Sequence, residues 1–254
     1  MTYTITHYQL KKTSAFVTFN EEEIQVPVDV FYRYHMKVGH TYDHSTYQDI
    51  LNDIDYANCK HRALKLLNVP KTAYEIKEKL TQYKKHIVTQ VIKELMDKGY
   101  VNDDAFMKMY HELRPFIGPK KLKFTFRNKG VHVERINAFL NTIDESVSLE
   151  LAFEKILKKT SKKSYQKSKE SIYQYLMNQG FSSSLILSKI DQAYYIDDDK
   201  ERELLSQLFH KTLPKLQGNL YEKCEQWLKK ALTKGFSYQE AKSFCEVIDI
   251  ENMD

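Results

Sequence analysis

Tight-turn residues are scarce in this chain. Seven glycines and five prolines in 254 residues are too few for the many turns of a sandwich or barrel, and favour helices joined by short links. The three cysteines, Cys59, Cys224 and Cys245, are odd in number and lack CxxC spacing. Neither a disulfide framework nor a zinc site is expected from them, and a reducing cytosol fits. No run approaches the roughly 18 apolar residues that a membrane span requires, and Met1-Thr2-Tyr3-Thr4 opens into a strand-like pattern rather than an apolar signal segment. A soluble, cytoplasmic chain with no membrane partner is expected. Also missing are a phosphate-binding glycine loop, a GxSxG elbow and a Cys/His pair at nucleophile spacing. The nine histidines give no metal signature: His40 and His44 flank a turn-like segment, and His61, His86, His111, His132 and His210 are scattered. The expectation is a protein with no cofactor and no metal.

Charge is present, and it is unevenly spread. Residues 1–58 carry four Lys/Arg against eight Asp/Glu, a net of −4, so the overall +5 places +9 on residues 59–254. An acidic head on a basic body points to a polyanionic partner for the body, the alternative being a basic face that is simply solvated.

The first 40 residues read as a small β unit. Ile24, Val26, Val28 and Val30 alternate with polar residues or proline, the period of a half-buried strand. Ala15–Phe19 precedes this strand across an Asn20–Glu23 hairpin turn, and Tyr3–Leu10 adds a third strand. Pro27 has no N–H to give a ladder, which places its strand at a sheet edge. Gly39 is expected to close a short helix around Phe31–Lys37.

From Ser45 onward the pattern is helical and it repeats. Thr72-Ala73-Tyr74-Glu75 is a capping box, and Gly118-Pro119 starts a helix that Gly130 ends. Gly130, Gly180 and Gly235 each close one helix and lead into another, at spacings of 50 and 55 residues. An apolar residue followed by Asp or Asn recurs at Ile54, Val101, Ile143, Ile196 and Ile248. The fold class expected is mainly α: an elongated array of tandem three-helix repeats behind a β-rich head. The head is placed at 1–44, and the four three-helix units at 45–102, 103–143, 144–196 and 197–254.

Asp103 and Asp104, within Lys98-Gly99-Tyr100-Val101-Asn102-Asp103-Asp104-Ala105-Phe106, are the best candidates for paired catalytic carboxylates. They are also what a helix start looks like, since Asn or Asp caps the N-terminus and the helix dipole favours further acids there. The same device returns at Asp144-Glu145-Ser146 and Asp197-Asp198-Asp199. A feature present at each boundary is structural punctuation, so no catalytic residue and no enzyme is expected.

Two basic clusters carry more. The first holds Arg114, Lys120, Lys121, Lys123, Arg127, Lys129 and Arg135 against only Glu112 and Glu134. Lys120 and Lys121 stand in a first helical turn, where cations oppose the dipole at about 0.3–1 kcal/mol each. A start with lysines and free backbone N–H groups is a phosphate seat, to which Arg127 and Phe124 or Phe126 add charge and stacking. The second cluster is Leu157 to Lys169, with Lys158, Lys159, Lys162 and Lys163 and no acid before Glu170. Lysine without arginine suits backbone attraction rather than base reading. Both clusters also fit plain solvation.

The stretches Ala63-Leu64…Leu67, Glu75-Ile76…Leu80, Val91-Ile92…Leu95…Lys98–Phe106, Arg114, Gly118-Pro119, Leu122 and Lys129-Gly130-Val131 resemble the RecX family of recombinase regulators, most specifically over about 60–140. Where that family commonly has arginine and serine, this chain has Asn68-Val69-Pro70-Lys71-Thr72, leaving Lys71 the one basic candidate at that turn. The resemblance implies a non-enzymatic monomer that binds the RecA recombinase filament on single-stranded DNA, touching DNA directly or through the filament. It implies restraint of ATP hydrolysis, strand exchange and repressor cleavage, and hence a part in homologous recombination and the SOS response. An elongated curved array would suit a helical groove of protein and DNA. The alternative is a helical-repeat nucleic-acid-binding module acting through the lysine clusters.

Overall fold

The computed structural model describes residues 1–160 and 162–250. Four strands, β1 (Thr2–Leu10), β2 (Ser14–Phe19), β3 (Glu22–Pro27) and β4 (Thr41–Asp43), form one sheet in the order β3-β2-β1-β4. Every described pairing is antiparallel. Asn20 turns the β2–β3 hairpin with φ +54°, a conformation that asparagine tolerates better than most residues. Proline-bearing β3 is an edge strand, as the missing N–H requires.

Three details of the head differ from the sequence expectation. β3 stops at Pro27, and Val28–Arg33 is the helix α1. Pro27, at φ −55° and ψ 143°, is its N-cap, so the alternation through Val28 and Val30 is accidental: Val30 and Phe31 are buried as neighbours on a helix. Gly39 does not close that helix, which ends at Arg33; its amide instead donates to Ile5 O. His40 and His44 flank β4, not a turn.

After α1 come α2 (His44–Leu66), α3 (Ala73–Glu78), α4 (Lys85–Asp97), α5 (Asp103–Glu112), α6 (Pro119–Asn128), α7 (Val133–Leu140) and α8 (Glu145–Thr160). They are followed by α9 (Tyr165–Gln179), α10 (Ser183–Ala193), α11 (Asp198–Thr212), α12 (Leu220–Thr233) and α13 (Tyr238–Ile250). A mainly helical chain with a small N-terminal sheet is therefore the observed class.

The chain forms two compact units, residues 1–109 with 126–136, and residues 110–125 with 137 onward. In the first, Ile5, Val17, Phe19, Phe31, Tyr47 and Ile50 join sheet to α1 and α2, and Ala63, Ile76, Leu80, Val91 and Leu95 join α2 to α3 and α4. Each large apolar side chain buried this way contributes about 1.5–3 kcal/mol. Between α2 and α4, Glu94 accepts from Lys60 Nζ (2.7 Å), Lys98 Nζ (2.5 Å) and the Tyr56 hydroxyl. These partners, Lys60 first, pull its pKa down to about 2.

In the second unit, Leu149, Phe153, Ile156, Ile172, Leu176 and Phe181 join α8 to α9. Phe209, Trp227, Phe236 and Ala241 join α11, α12 and α13, with Trp227 Nε1 donating to Ala241 O at 2.7 Å. Here the cysteine expectation is corrected. The α12–α13 hairpin brings Cys224 and Cys245 to a Cα–Cα distance of 5.4 Å, and they form a disulfide. A separation of 21 residues shows nothing in the sequence until the helices fold back on each other. Cys59 is free and buried.

One joint is made three times. α6, α9 and α12 end alike: a glycine at positive φ (Gly130 +70°, Gly180 +91°, Gly235 +85°) is followed by a buried apolar residue. The amides of Val131, Phe181 and Phe236 return to the carbonyls of Phe126, Leu176 and Ala231, a glycine-dependent helix stop. The carbonyls left over at each stop accept from the start of the preceding middle helix. Thr72 Oγ1, already the α3 cap, donates to Lys129 O at 2.6 Å. The amides of Gly118 and Lys120 donate to Gln179 O (2.8 Å) and Gly180 O (3.2 Å). Ser164 Oγ, the α9 cap, donates to Lys234 O at 2.6 Å. The approach is close: a Cβ on Gly180 would lie 2.4 Å from Lys121 N, whereas one on Gly99 (φ +74°) meets nothing within 4 Å.

Gly180→Ala is expected to lower stability by more than the about 1–2 kcal/mol that a left-handed alanine costs by itself, and Gly99→Ala by that amount only. Urea midpoints measure both, and equal losses would contradict a joint closed by backbone contact.

Candidate nucleic-acid interface

The paired aspartates are structural. Asn102 Oδ1 accepts from the amides of Asp104 and Ala105, both at 3.0 Å, and so caps α5. Asp103 is 8% exposed, and its Oδ1 accepts from Ala73 N at 3.1 Å, serving the first amide of α3. Asp104 points away and pairs with Arg135 at 2.7 Å. The second unit repeats the arrangement with a different acid: Glu201, 7% exposed on α11, accepts from Tyr165 N at 2.8 Å beside the Ser164 cap. Burial pushes the Glu201 carboxyl up, partly opposed by that amide. Each carboxylate thus satisfies an orphan donor at a helix start. Asp144 and Asp197 cap their own helices, accepting from Ser146 N and Lys200 N.

Among the described residues no group of three His, Cys, Asp or Glu is arranged to hold a metal ion, and no helix is long and apolar enough to cross a membrane. His111 lies in contact with Phe139 and Ser148, and burial holds it below the usual histidine range.

The first basic cluster separates into two parts. Lys120, Lys123, Phe124 and Arg127 are exposed at helical spacing on α6, one stripe on one face. Phe124, within the stripe, is 67% exposed, and offers an aromatic face among the charges. Arg114 lies beyond α5 with its guanidinium over the Tyr110 ring at 4.4 Å. The other two lysines are engaged in the joints. Lys121 Nζ donates to Gln179 Oε1 at 3.3 Å. Lys129 pairs with Glu75 and lies over the Phe106 ring. Burial opposes ionisation of Glu75, yet Lys129 and the Thr72 amide outweigh it and hold the carboxyl below its usual range. The α6 start is not a free phosphate seat, because Gly118 N and Lys120 N are occupied by carbonyls of the α9 end. What remains on α6 is side-chain charge and an aromatic face.

The second cluster divides as well. Lys158 and Lys159 are exposed in the last turn of α8. Lys162 and Lys163 instead line a cleft of about 800 Å³ with Lys167, Lys200, Lys211 and Lys234. Lys163 Nζ is steadied by Ser171 Oγ at 2.8 Å, and Lys167 pairs with Glu170 at 2.8 Å. Lys200, Lys211 and Lys234 escape a sequence reading because they lie on α11 and just past α12; Lys200 follows three aspartates and looks like part of a cap. Lys71, the basic candidate before α3, is turned inward, donating to Leu66 O and Val69 O.

Over 94% of this chain, 28% of residues are identical to the regulatory protein RecX of Bacillus velezensis, 95% of which is covered. The regulatory protein RecX of Bacillus subtilis is 27% identical over 90% of this chain and 92% of its own. Over nearly its whole length the chain is similar to regulatory proteins of the RecX family. A crystal structure of a regulatory protein RecX shares the fold, with TM-score 0.58 at 21% identity across 75% of this chain and 99% of that one. No protein-family model matches. Among the residues that carry the RecX resemblance, Asp103 and Lys129-Gly130-Val131 are parts of the joint at α3, Gly118 is part of the joint at α6, and Asn102 caps α5. The resemblance therefore marks assembly of the fold more than a binding surface.

Asp103→Ala is expected to cost about 1–3 kcal/mol, the price of an unsatisfied buried donor at Ala73. Asp103→Asn keeps an acceptor and should cost far less. Denaturant titration of the two variants separates them, and a full loss of function in well-folded Asp103→Asn would restore a catalytic reading.

Proposed function

We propose that this RecX-family chain binds RecA filaments on single-stranded DNA and inhibits their ATPase, strand-exchange and coprotease activities, as a non-catalytic, monomeric regulator in the cytoplasm. The observation that carries the reading is the near full-length match to regulatory RecX proteins, together with basic side chains displayed on a helical scaffold. The contacts assigned to the filament and its DNA are Arg114, Lys120, Lys123 and Arg127, then Lys158 and Lys159, with Lys162 and Lys163 at the cleft. Lysine meets phosphate as a point charge, and exposed Phe124 offers a stacking face. The same proposal takes 45–102, 103–143, 144–196 and 197–254 as repeats of one three-helix unit, which the thrice-made joint supports. Residues 251–254 and the side chains of Ile248 and Asp249 lie outside the described residues.

The α6 stripe also favours a second reading, a module that sequesters single-stranded DNA without touching RecA. RecA ATPase on single-stranded DNA, measured with substoichiometric protein and a large excess of bare competitor DNA, separates the two. Persisting inhibition is the expected result, and its abolition by competitor favours sequestration. Charge reversal at Lys120, Lys123, Lys158 and Lys159 should weaken inhibition at least tenfold and flatten its salt dependence; unchanged inhibition would remove these lysines from the interface.

A further inference from the structure

The cleft on the second compact unit has a chemistry of which the filament reading uses only Lys162 and Lys163. It gathers Lys162 and Lys163 from the turn before α9, Lys167 from the first turn of α9, Lys200 and Lys211 from α11, and Lys234 from just past α12, with Glu203 the one carboxylate in the lining. Among the described residues, Lys167 is the only one of the six in an ion pair. Six ammonium groups held around one concavity repel one another, and a fold that keeps them together is suited to a multivalent anion. Lys200 and Lys211 are three helical turns apart, roughly 16 Å at about 1.5 Å per residue, so the cleft has length as well as charge. Between them α11 presents Leu204 and Leu208, which with Phe236 make part of the lining apolar. The ligand that fits carries several phosphates together with a flat, less polar group that can lie against the leucines between the lysines.

The cleft is bounded. Lys158 and Lys159 are not part of its lining, so the lysines do not continue along α8 as a row for a long strand. Ser164 and Lys234, bonded to each other across the α9–α12 joint, both line it and make one wall. Its volume of about 800 Å³ falls within the roughly 300–1,000 Å³ of small-molecule sites. The geometry points to a nucleoside triphosphate as the occupant, its phosphates among the six lysines and its base against Leu204, Leu208 and Phe236. This goes beyond the filament reading and stands without it. Occupancy would couple the nucleotide to the joint, because the wall of the cleft is the joint itself.

Calorimetric titration of ATP into the full chain at low salt tests this, with tripolyphosphate and a thymidine oligonucleotide as parallel probes. The expected result is saturable one-to-one ATP binding, at least tenfold weaker in K200E/K211E, intermediate in K200Q/K211Q and unchanged in K158E/K159E. Tripolyphosphate should bind at least fivefold more weakly than ATP; equal binding would overturn the nucleoside assignment. Heat that does not saturate, or ATP binding that survives K200E/K211E in chains with native circular dichroism, would overturn the site. Oligonucleotide binding that is lost in K200E/K211E while ATP does not bind would also overturn it, giving the cleft to a DNA strand and leaving the filament reading intact.

Discussion

Three helix ends of this protein are turned onto the starts of other helices. At α6, α9 and α12 a glycine stops the helix, and the exposed carbonyls that follow accept hydrogen bonds from the beginning of α3, α6 or α9. A helix leaves its last carbonyls and first amides unpaired, and burying either without a partner costs about 1–3 kcal/mol. Making each the partner of the other satisfies both. The joint is formed once within the first compact unit and twice within the second, with the donor changing from threonine hydroxyl to backbone amide to serine hydroxyl while the carbonyl acceptor stays the same.

That constraint shapes the charged surface. Because Gly118 N and Lys120 N are bonded to Gln179 and Gly180, two backbone donors of the α6 start are withheld from an anion, and the lysine side chains carry most of the basic character. Lys121 and Lys129 are drawn into the joints, which leaves Lys120, Lys123 and Arg127 flanking an exposed phenylalanine. At the third joint, Ser164 and Lys234 also wall the lysine cleft. Structural and electrostatic roles are thus divided between neighbouring residues of the same short stretches.

The helical part of the fold was readable from Thr72–Glu75, Gly118-Pro119 and the glycines at 130, 180 and 235, because caps and stops are local chemistry written in adjacent residues. The Lys98–Phe106 stretch was readable as a helix start, with Asn102 as its cap. That Asp103 serves a different helix, through Ala73 N, was not, since the partner lies 30 residues away. Val28 and Val30 misled because period-two alternation ran on past a proline that starts a helix. The Cys224–Cys245 bond and the convergence of Lys200, Lys211 and Lys234 on Lys162 depend on how helices pack, which spacing along one chain does not encode.

The most direct test of the account is hydrogen exchange on the full chain, with and without RecA filaments on single-stranded DNA. The account predicts new protection, or slowed exchange, over the exposed face of α6 and the last turn of α8, with the sheet of the head unchanged. Unaltered exchange at α6 and α8, with the filament demonstrably bound and protection confined to the acidic head, would contradict it.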